Sequence, residues 1–163
     1  MIKTIIGKRG RGKTSLTHEL IRNAQANQVF ILDFLGEYKS FEKKNVHVSS
    51  NIYDLETFCE KAWDVSSKEK ETLVIFDEIH EYGKKCPPIE ILYRFGRHWN
   101  IEVIAISHRF ADLPMIVKSQ TQAYYVFQVT DRSDKDYLRD SLPKEKVEKI
   151  ASLDEHKYII LEL

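Results

Sequence analysis

Eight residues near the start, Gly7-Lys8-Arg9-Gly10-Arg11-Gly12-Lys13-Thr14, match G-x-x-x-x-G-K-[ST] at every specified position. Glycines let backbone N–H groups turn inward around phosphate oxygens, in conformations that side chains would block. An apolar run, Ile2 to Ile6, precedes the loop and a helical pattern follows it. A helix N-terminus there adds unpaired N–H groups and the positive end of its dipole. Lys13 is placed to reach the β- and γ-phosphates, and the Thr14 hydroxyl to ligate Mg²⁺. The stretch Gly7, Lys8, Arg9, Gly10, Arg11, Gly12, Lys13, Thr14 and Ser15 is therefore the expected cradle for ATP with Mg²⁺. The plain alternative is a glycine-rich turn that matches by chance.

A second constellation, Leu73-Val74-Ile75-Phe76-Asp77-Glu78, sets four apolar residues before two carboxylates. A carboxylate ending such a strand lies beside the metal, so Asp77 is expected to hold Mg²⁺ or its waters. Glu78, one residue on, is placed to orient and deprotonate a water in line with the γ-phosphate. Lys13 and the metal would neutralise the charge that builds on the transferred group. The bland reading is an ordinary strand end whose acids begin a turn. Together with the loop, the pair points to hydrolysis and away from a small-molecule kinase, which must exclude water. A nucleotide-gated scaffold without turnover stays open. A strand over Ile101–Ser107 can lie between the first strand and the Asp-Glu strand. Ser107 or His108 at its end can then contact the γ-phosphate or the attacking water. His108 can equally be a loop histidine bonded to backbone.

These side chains need a scaffold, and the sequence describes one. Strands are expected at Lys3–Ile6, Val29–Asp33, Val46–Val48, Thr72–Asp77, Glu102–Ser107, Ala123–Val129 and Tyr158–Leu161. Helices are expected at Lys13–Ala26, Tyr53–Val65, Ile89–Trp99, Asp112–Lys118, Lys135–Ser141 and Lys144–Ala151. Alternation of this kind implies crossovers and a mainly parallel sheet covered on both faces. The expected fold is one α/β P-loop NTPase domain over residues 1–163, of the additional-strand, catalytic-glutamate type. Its strand order is 5-1-4-3-2, with the strand before Ser107 as the fourth and C-terminal edge strand or strands beyond the fifth. Tyr158–Leu161 closes as an edge strand or as a hairpin with Tyr124–Val129.

At 163 residues, with 25 basic and 25 acidic side chains, the chain has no net charge to argue for nucleic acid. Lys8, Arg9, Arg11 and Lys13 still crowd one loop, and bound nucleotide would account for part of that. No run approaches the ~20 apolar residues that cross a bilayer. The chain enters its first strand at once, leaving no room for a signal peptide. Cys59 and Cys86 lack metal-ligand spacing and read as free thiols in a reducing compartment.

The stretch Phe95-Gly96-Arg97-His98-Trp99-Asn100-Ile101-Glu102-Val103-Ile104-Ala105-Ile106-Ser107-His108-Arg109 resembles the FtsK–HerA superfamily of DNA-pumping ATPases. That superfamily carries Gly-Arg before its fourth strand, which ends in Ser/Thr-Gln-Arg-Pro. Asp33-Phe34-Leu35-Gly36-Glu37-Tyr38 looks like its Asp-x-x-Gly-Glu-Tyr after the second strand. The resemblance covers residues 1 to 114, and departs at His108 and Phe110, where the superfamily has glutamine and proline. In size and motif order the chain resembles the compact genome-packaging ATPases of membrane-containing viruses.

The resemblance implies a ring in which an arginine from one subunit completes its neighbour's site. Arg97 matches that position and Arg94 lies one turn earlier; the alternative for Arg97 is a surface arginine pairing with Glu90 or Glu102. It implies double-stranded DNA as a sequence-independent partner, a capsid or vertex protein as a further one, and a host cytoplasm or the packaging vertex of a virion as the location. Lys84, Lys85, Lys118 and Arg132 are candidates for the DNA backbone, against the ordinary alternative of plain surface charge for each. A Zot-like phage assembly or export ATPase, acting on a virion at a membrane and not on DNA, is the competing reading.

Overall fold

The computed structural model describes residues 1–82, 86–140 and 142–162. Seven strands form one sheet: β1 (Ile2–Ile6), β2 (Gln28–Leu32), β3 (Val46–Ser49), β4 (Thr72–Phe76), β5 (Ile101–Ser107), β6 (Ala123–Phe127) and β7 (Tyr158–Glu162). Their spatial order is β3-β2-β4-β5-β1-β6-β7. Six helices connect them: α1 (Lys13–Asn23), α2 (Leu55–Val65), α3 (Pro87–Phe95), α4 (Met115–Gln120), α5 (Arg132–Arg139) and α6 (Lys144–Ala151).

Counting β1, β2, β4, β5 and β6 as the five core strands, the expected order 5-1-4-3-2 is borne out. β3 extends the sheet beyond β2, and β7 closes it antiparallel against β6, with Phe127 opposite Tyr158. The remaining pairings are parallel. The β1–β5 register sets Ile6 beside Ser107, so the phosphate loop and the Ser107-His108 end leave the sheet side by side. Parallel strands buried on both faces read as continuous apolar runs, as Thr72–Phe76 does here.

Successive side chains enter opposite layers. Ile6, Phe76, Val103 and Val126 pack with α2 through α6, while Ile5, Ile75, Ile104 and Phe127 pack with α1 and Tyr38. Both faces are covered, but among the described residues five helices lie on one and a single helix on the other.

Several element ends differ from the sequence expectation for local reasons. The chain leaves α1 at Ala24, which is extended (φ −64°, ψ 132°), so Ala26 belongs to the connection. The helix expected from Asp112 starts at Met115, because Pro114 disfavours helical backbone at the residue before it. α3 opens with Pro87 and stops at Phe95, and Gly96–Trp99 tightens into a 3₁₀ turn. α5 begins at Arg132 behind Asp131, three residues earlier than expected, and ends at Arg139. The expected end of that helix, Ser141, lies outside the described residues. Cys59 and Cys86 are both buried and free, as expected.

Candidate functional site

The loop between β1 and α1 takes its shape from three glycines. Gly10 (φ +76°) and Gly12 (φ +101°) are left-handed, a region that costs other residues about 1–2 kcal/mol. Gly7 serves a different need: a Cβ there would sit 2.7 Å from Cβ of Phe127 on β6. Lys13, the first residue of α1, is buried, and its Nζ donates to the Lys8 carbonyl at 3.3 Å. Of the other cations in the loop, Lys8 pairs with Asp131 at 3.1 Å and Arg11 with Glu155 at 3.5 Å. Much of the local positive charge is therefore met by the C-terminal third of the chain, while Arg9 faces the cavity described below.

The motif after β2 has a local physical explanation. The buried carboxylate of Asp33 accepts from the backbone N–H of Glu37 at 2.9 Å and of Tyr38 at 3.0 Å. Gly36 supplies the left-handed residue (φ +76°) that closes the turn. Tyr38 is fully buried, with His18 edge-on at 5.3 Å. The clamp aims Glu37 at the phosphate loop, where its Oε2 accepts from the Thr14 hydroxyl at 2.8 Å.

Asp77 and Glu78 follow β4, one strand removed from β1 with β5 between them. Both are buried. Burial, Glu78, Asp33 and Glu37 push the Asp77 carboxyl up to about 7, against a smaller opposing pull from Lys13. One of its oxygens, Oδ2, is buried with no hydrogen-bond partner among the described residues. Burial also raises Glu78, opposed by Lys13 and His80, and lowers Lys13, opposed by Glu78 and Asp77. Glu78 has left-handed backbone (φ 49°, ψ 48°) and leads into a 3₁₀ turn, Ile79–Glu81. That turn carries His80 back alongside its own strand end.

Of the two expected γ-phosphate contacts, His108 joins the site and Ser107 stands behind it. His108 Nε2 lies 2.7 Å from Glu78 Oε1. Burial, Lys13 and Arg9 hold the His108 ring below the usual histidine range. Ser107 is fully buried, with its Oγ 3.3 Å from His80 Nδ1 and donating to the Arg109 carbonyl at 3.3 Å.

Thr14, Lys13, Glu37, Asp77, Glu78 and His108 line one cavity of about 310 Å³, together with glycines of the loop. The residues fit a nucleotide with its metal: unblocked loop N–H groups at a helix start, a buried lysine, and an orphaned carboxylate oxygen on Asp77 with the Thr14 hydroxyl in the same cavity.

The AAA domain family matches residues 1–129. The chain belongs to that family. Among curated proteins, the DNA packaging protein OPG160 of Variola virus is 23% identical over 125 residues, 75% of this chain and 44% of that protein. The chain thus spans less than half the length of that relative. Among solved structures, the genome packaging NTPase B204 from Sulfolobus turreted icosahedral virus 2, in complex with AMPPCP, superposes with a TM-score of 0.81. That match has 22% identity and covers 99% of this chain and 91% of that one. The N-terminal domain of zonular occludens toxin from Neisseria meningitidis superposes less well, with a TM-score of 0.52, 16% identity and coverage of 81% and 78%. The structural likeness extends the shared fold past the AAA match, through β7. The expected resemblance to compact packaging ATPases is borne out by OPG160 and B204.

Within this AAA domain, Arg97 stands apart from the cavity. It sits on the 3₁₀ turn that leads into β5, at the opposite end of that strand from His108. Seven residues of strand span about 20 Å, so Arg97 does not reach its own phosphate loop. Its two suggested partners are otherwise engaged: Glu90 pairs with Arg94 and Glu102 with Lys3. Among the DNA-contact candidates, Lys84 and Lys85 lie outside the described residues. Lys118 donates to the Ala111 carbonyl at 3.4 Å and lies 5.3 Å over the Tyr137 ring. Arg132 is almost fully exposed at the start of α5, with Asp136 at 3.7 Å.

Glu37, His80 and His156 join the site although the sequence gives none of them a role there. Glu37 stood in a quoted motif, and the motif was its only signal. His80 depends on the left-handed turn at Glu78. His156, itself left-handed (φ 62°), comes from the loop before β7 and closes on Gly12, where a Cβ would sit 2.8 Å from its Nδ1. No local sequence pattern announces that contact. Among the described residues no helix is long and apolar enough to cross a membrane.

Proposed function

We propose that this domain hydrolyses ATP to drive double-stranded DNA, in the packaging of a viral genome. The observation that carries the reading is Glu78: a buried carboxylate at the end of β4, sharing one cavity with Lys13, Thr14 and Asp77. In this reading the loop N–H groups and Lys13 hold the β- and γ-phosphates. Thr14 and Asp77 hold Mg²⁺, which when bound supplies Lewis-acid stabilisation of the phosphoryl oxygens. Glu78 orients a water in line with the γ-phosphate and takes its proton, and His108 holds the glutamate until nucleotide arrives. The solved complex of the similar B204 NTPase with AMPPCP supports nucleotide as the ligand.

DNA as the cargo and a viral setting, in the host cytoplasm or at the packaging vertex of a virion, rest on the packaging proteins the chain resembles. A ring with arginine supplied in trans is supported by the distance of Arg97 from its own site. A capsid or vertex protein would be the ring's docking partner.

Phosphate release measured across protein concentration, with and without linear double-stranded DNA, tests this, with Glu78→Gln as control. Turnover that rises more steeply than protein concentration, increases with DNA and disappears in Glu78→Gln is the expected result. Turnover indifferent to DNA would leave the hydrolase and remove the motor.

A further inference from the structure

The ends of β4 and β5 bring together three side chains whose chemistry exceeds what hydrolysis needs. Glu78 Oε1 lies 2.7 Å from His108 Nε2, and Glu78 Oε2 lies 3.4 Å from His80 Nδ1. One ligand atom from each of the three residues falls within 4.8 Å of the others. In a tetrahedral zinc site with bonds of 2.0–2.2 Å, ligand atoms stand about 3.3 Å apart. The three donors therefore need only small side-chain adjustments to share one ion.

Two further observations point the same way. Glu78 is 6% exposed, and its Oε2 is a buried oxygen with no hydrogen-bond partner among the described residues, 3.4 Å from His80 Nδ1. The far nitrogen of that ring, Nε2, lies 3.2 Å from Glu81 Oε1. A carboxylate behind a ligating histidine fixes its tautomer and turns the other nitrogen's lone pair toward the metal. Here the Glu81–His80 pair leaves Nδ1 facing Glu78 Oε2 at 3.4 Å and Ser107 Oγ at 3.3 Å, and an ion would take the place of the Ser107 contact. His108 is about one-third exposed toward the phosphate cavity, which leaves room for water at a fourth position.

We propose that Glu78, His80 and His108 form a regulatory site for a divalent transition-metal ion of the zinc class, distinct from the Mg²⁺ position at Thr14 and Asp77. Two imidazoles and a carboxylate select zinc, cobalt or nickel over magnesium, which takes oxygen ligands. The effect on turnover rests on the role assigned to Glu78 above: a glutamate whose oxygens are bound to metal cannot take a proton from water. Nucleotide would still bind, because the loop and Lys13 are not ligands. Such a site would hold the domain loaded but idle.

Calorimetric titration of the nucleotide-free protein with Zn²⁺, and visible absorption with Co²⁺, read the site without any turnover. One equivalent of metal with a tetrahedral cobalt spectrum is expected. His80→Ala and His108→Ala should each weaken binding at least about 10-fold, Glu81→Gln about 10-fold, and Cys59→Ser with Cys86→Ser not at all. Zn²⁺ added at saturating Mg²⁺ and ATP should inhibit the parent, and His80→Ala should need at least about 10-fold more Zn²⁺ for the same inhibition. Absence of binding, or binding unchanged in both histidine variants, would overturn the proposal. Metal binding that depends on the histidines, in a protein whose Glu78→Gln variant still hydrolyses ATP, would instead sink the assigned role of Glu78 and leave the metal site standing.

Discussion

The Thr14 hydroxyl donates to Glu37 Oε2 at 2.8 Å, tying the last residue of the phosphate loop to the turn after β2. A threonine whose proton is committed in this way keeps its oxygen lone pairs free and aimed. Asp33, through the N–H groups of Glu37 and Tyr38, holds the other end of the tie.

Glu37→Gln keeps a hydrogen bond and removes the charge. In the proposed reading, the Mg²⁺ concentration for half-maximal ATPase should rise about 3- to 10-fold, while the rate at saturating Mg²⁺ stays within about 3-fold, a change of 1 kcal/mol or so in metal binding. A titration of rate against Mg²⁺ at fixed ATP reads both numbers. An unchanged Mg²⁺ midpoint would make the Thr14–Glu37 contact purely structural.

Asp77 gives the nucleotide-free protein a characteristic pH dependence. Its carboxyl is raised from 3.8 to about 7, first by burial and then by Glu78, Asp33 and Glu37. The folded state therefore prefers the protonated form. Its stabilising contribution is complete below the unfolded value near 4 and is lost as pH rises through about 7, a difference of at most about 4 kcal/mol. Asp77→Asn should remove that slope, so its thermal midpoint gains on the parent between about pH 4 and pH 8 while ATPase is lost. A parent–variant difference that is the same at both pH values would remove the Asp77 linkage, and a variant that loses on the parent would reverse its sign.

How far these features were legible in the sequence depended on the range of the interaction. The phosphate loop, Asp77 and Glu78 were legible because each rests on a strand end and its next few residues. The core strand order followed from the additional-strand, catalytic-glutamate type that the loop and the Asp77-Glu78 pair imply, since alternation alone implies only a parallel sheet. His80 was not, because its position turns on one left-handed residue, Glu78, that no composition rule requires. Asp131, Glu155 and His156 were not, because they reach the loop only through the packing of β6 and β7. The helix expected from Asp112 begins only at Met115, because Pro114 keeps the residue before it out of helical backbone.

If the arginine acts in trans, an inactive subunit can lend it. Arg97→Ala should lower turnover at least about 100-fold in assembled protein. Mixing it with Glu78→Gln, which has an intact Arg97, should restore part of the activity that neither variant has alone. Additive, unrestored rates in the mixture would place the arginine's effect within its own subunit.

Gly7 offers a test of the loop's support that involves no ligand. Gly7→Ala puts a Cβ 2.7 Å from Cβ of Phe127, between two strands that cannot separate freely. Overpacking of this kind costs about 1–3 kcal/mol, and denaturant unfolding should report a loss in that range. Phe127→Gly by itself should also destabilise, but the double variant should recover part of the Gly7→Ala loss, because the atom nearest the new Cβ is Phe127 Cβ, which only glycine removes. Full additivity would locate the strain elsewhere.

β1 is synthesised first yet lies between β5 and β6, whose residues emerge about a hundred positions later. At roughly 5–20 residues per second the ribosome needs several seconds to supply those neighbours. Throughout that interval the nascent phosphate loop has neither Phe127 behind Gly7 nor His108 beside Glu78. A chain stalled before β5 is therefore born without a working site. Incomplete translation products would lack both flanking strands of β1 and be poorly shaped to enter an assembly of finished copies.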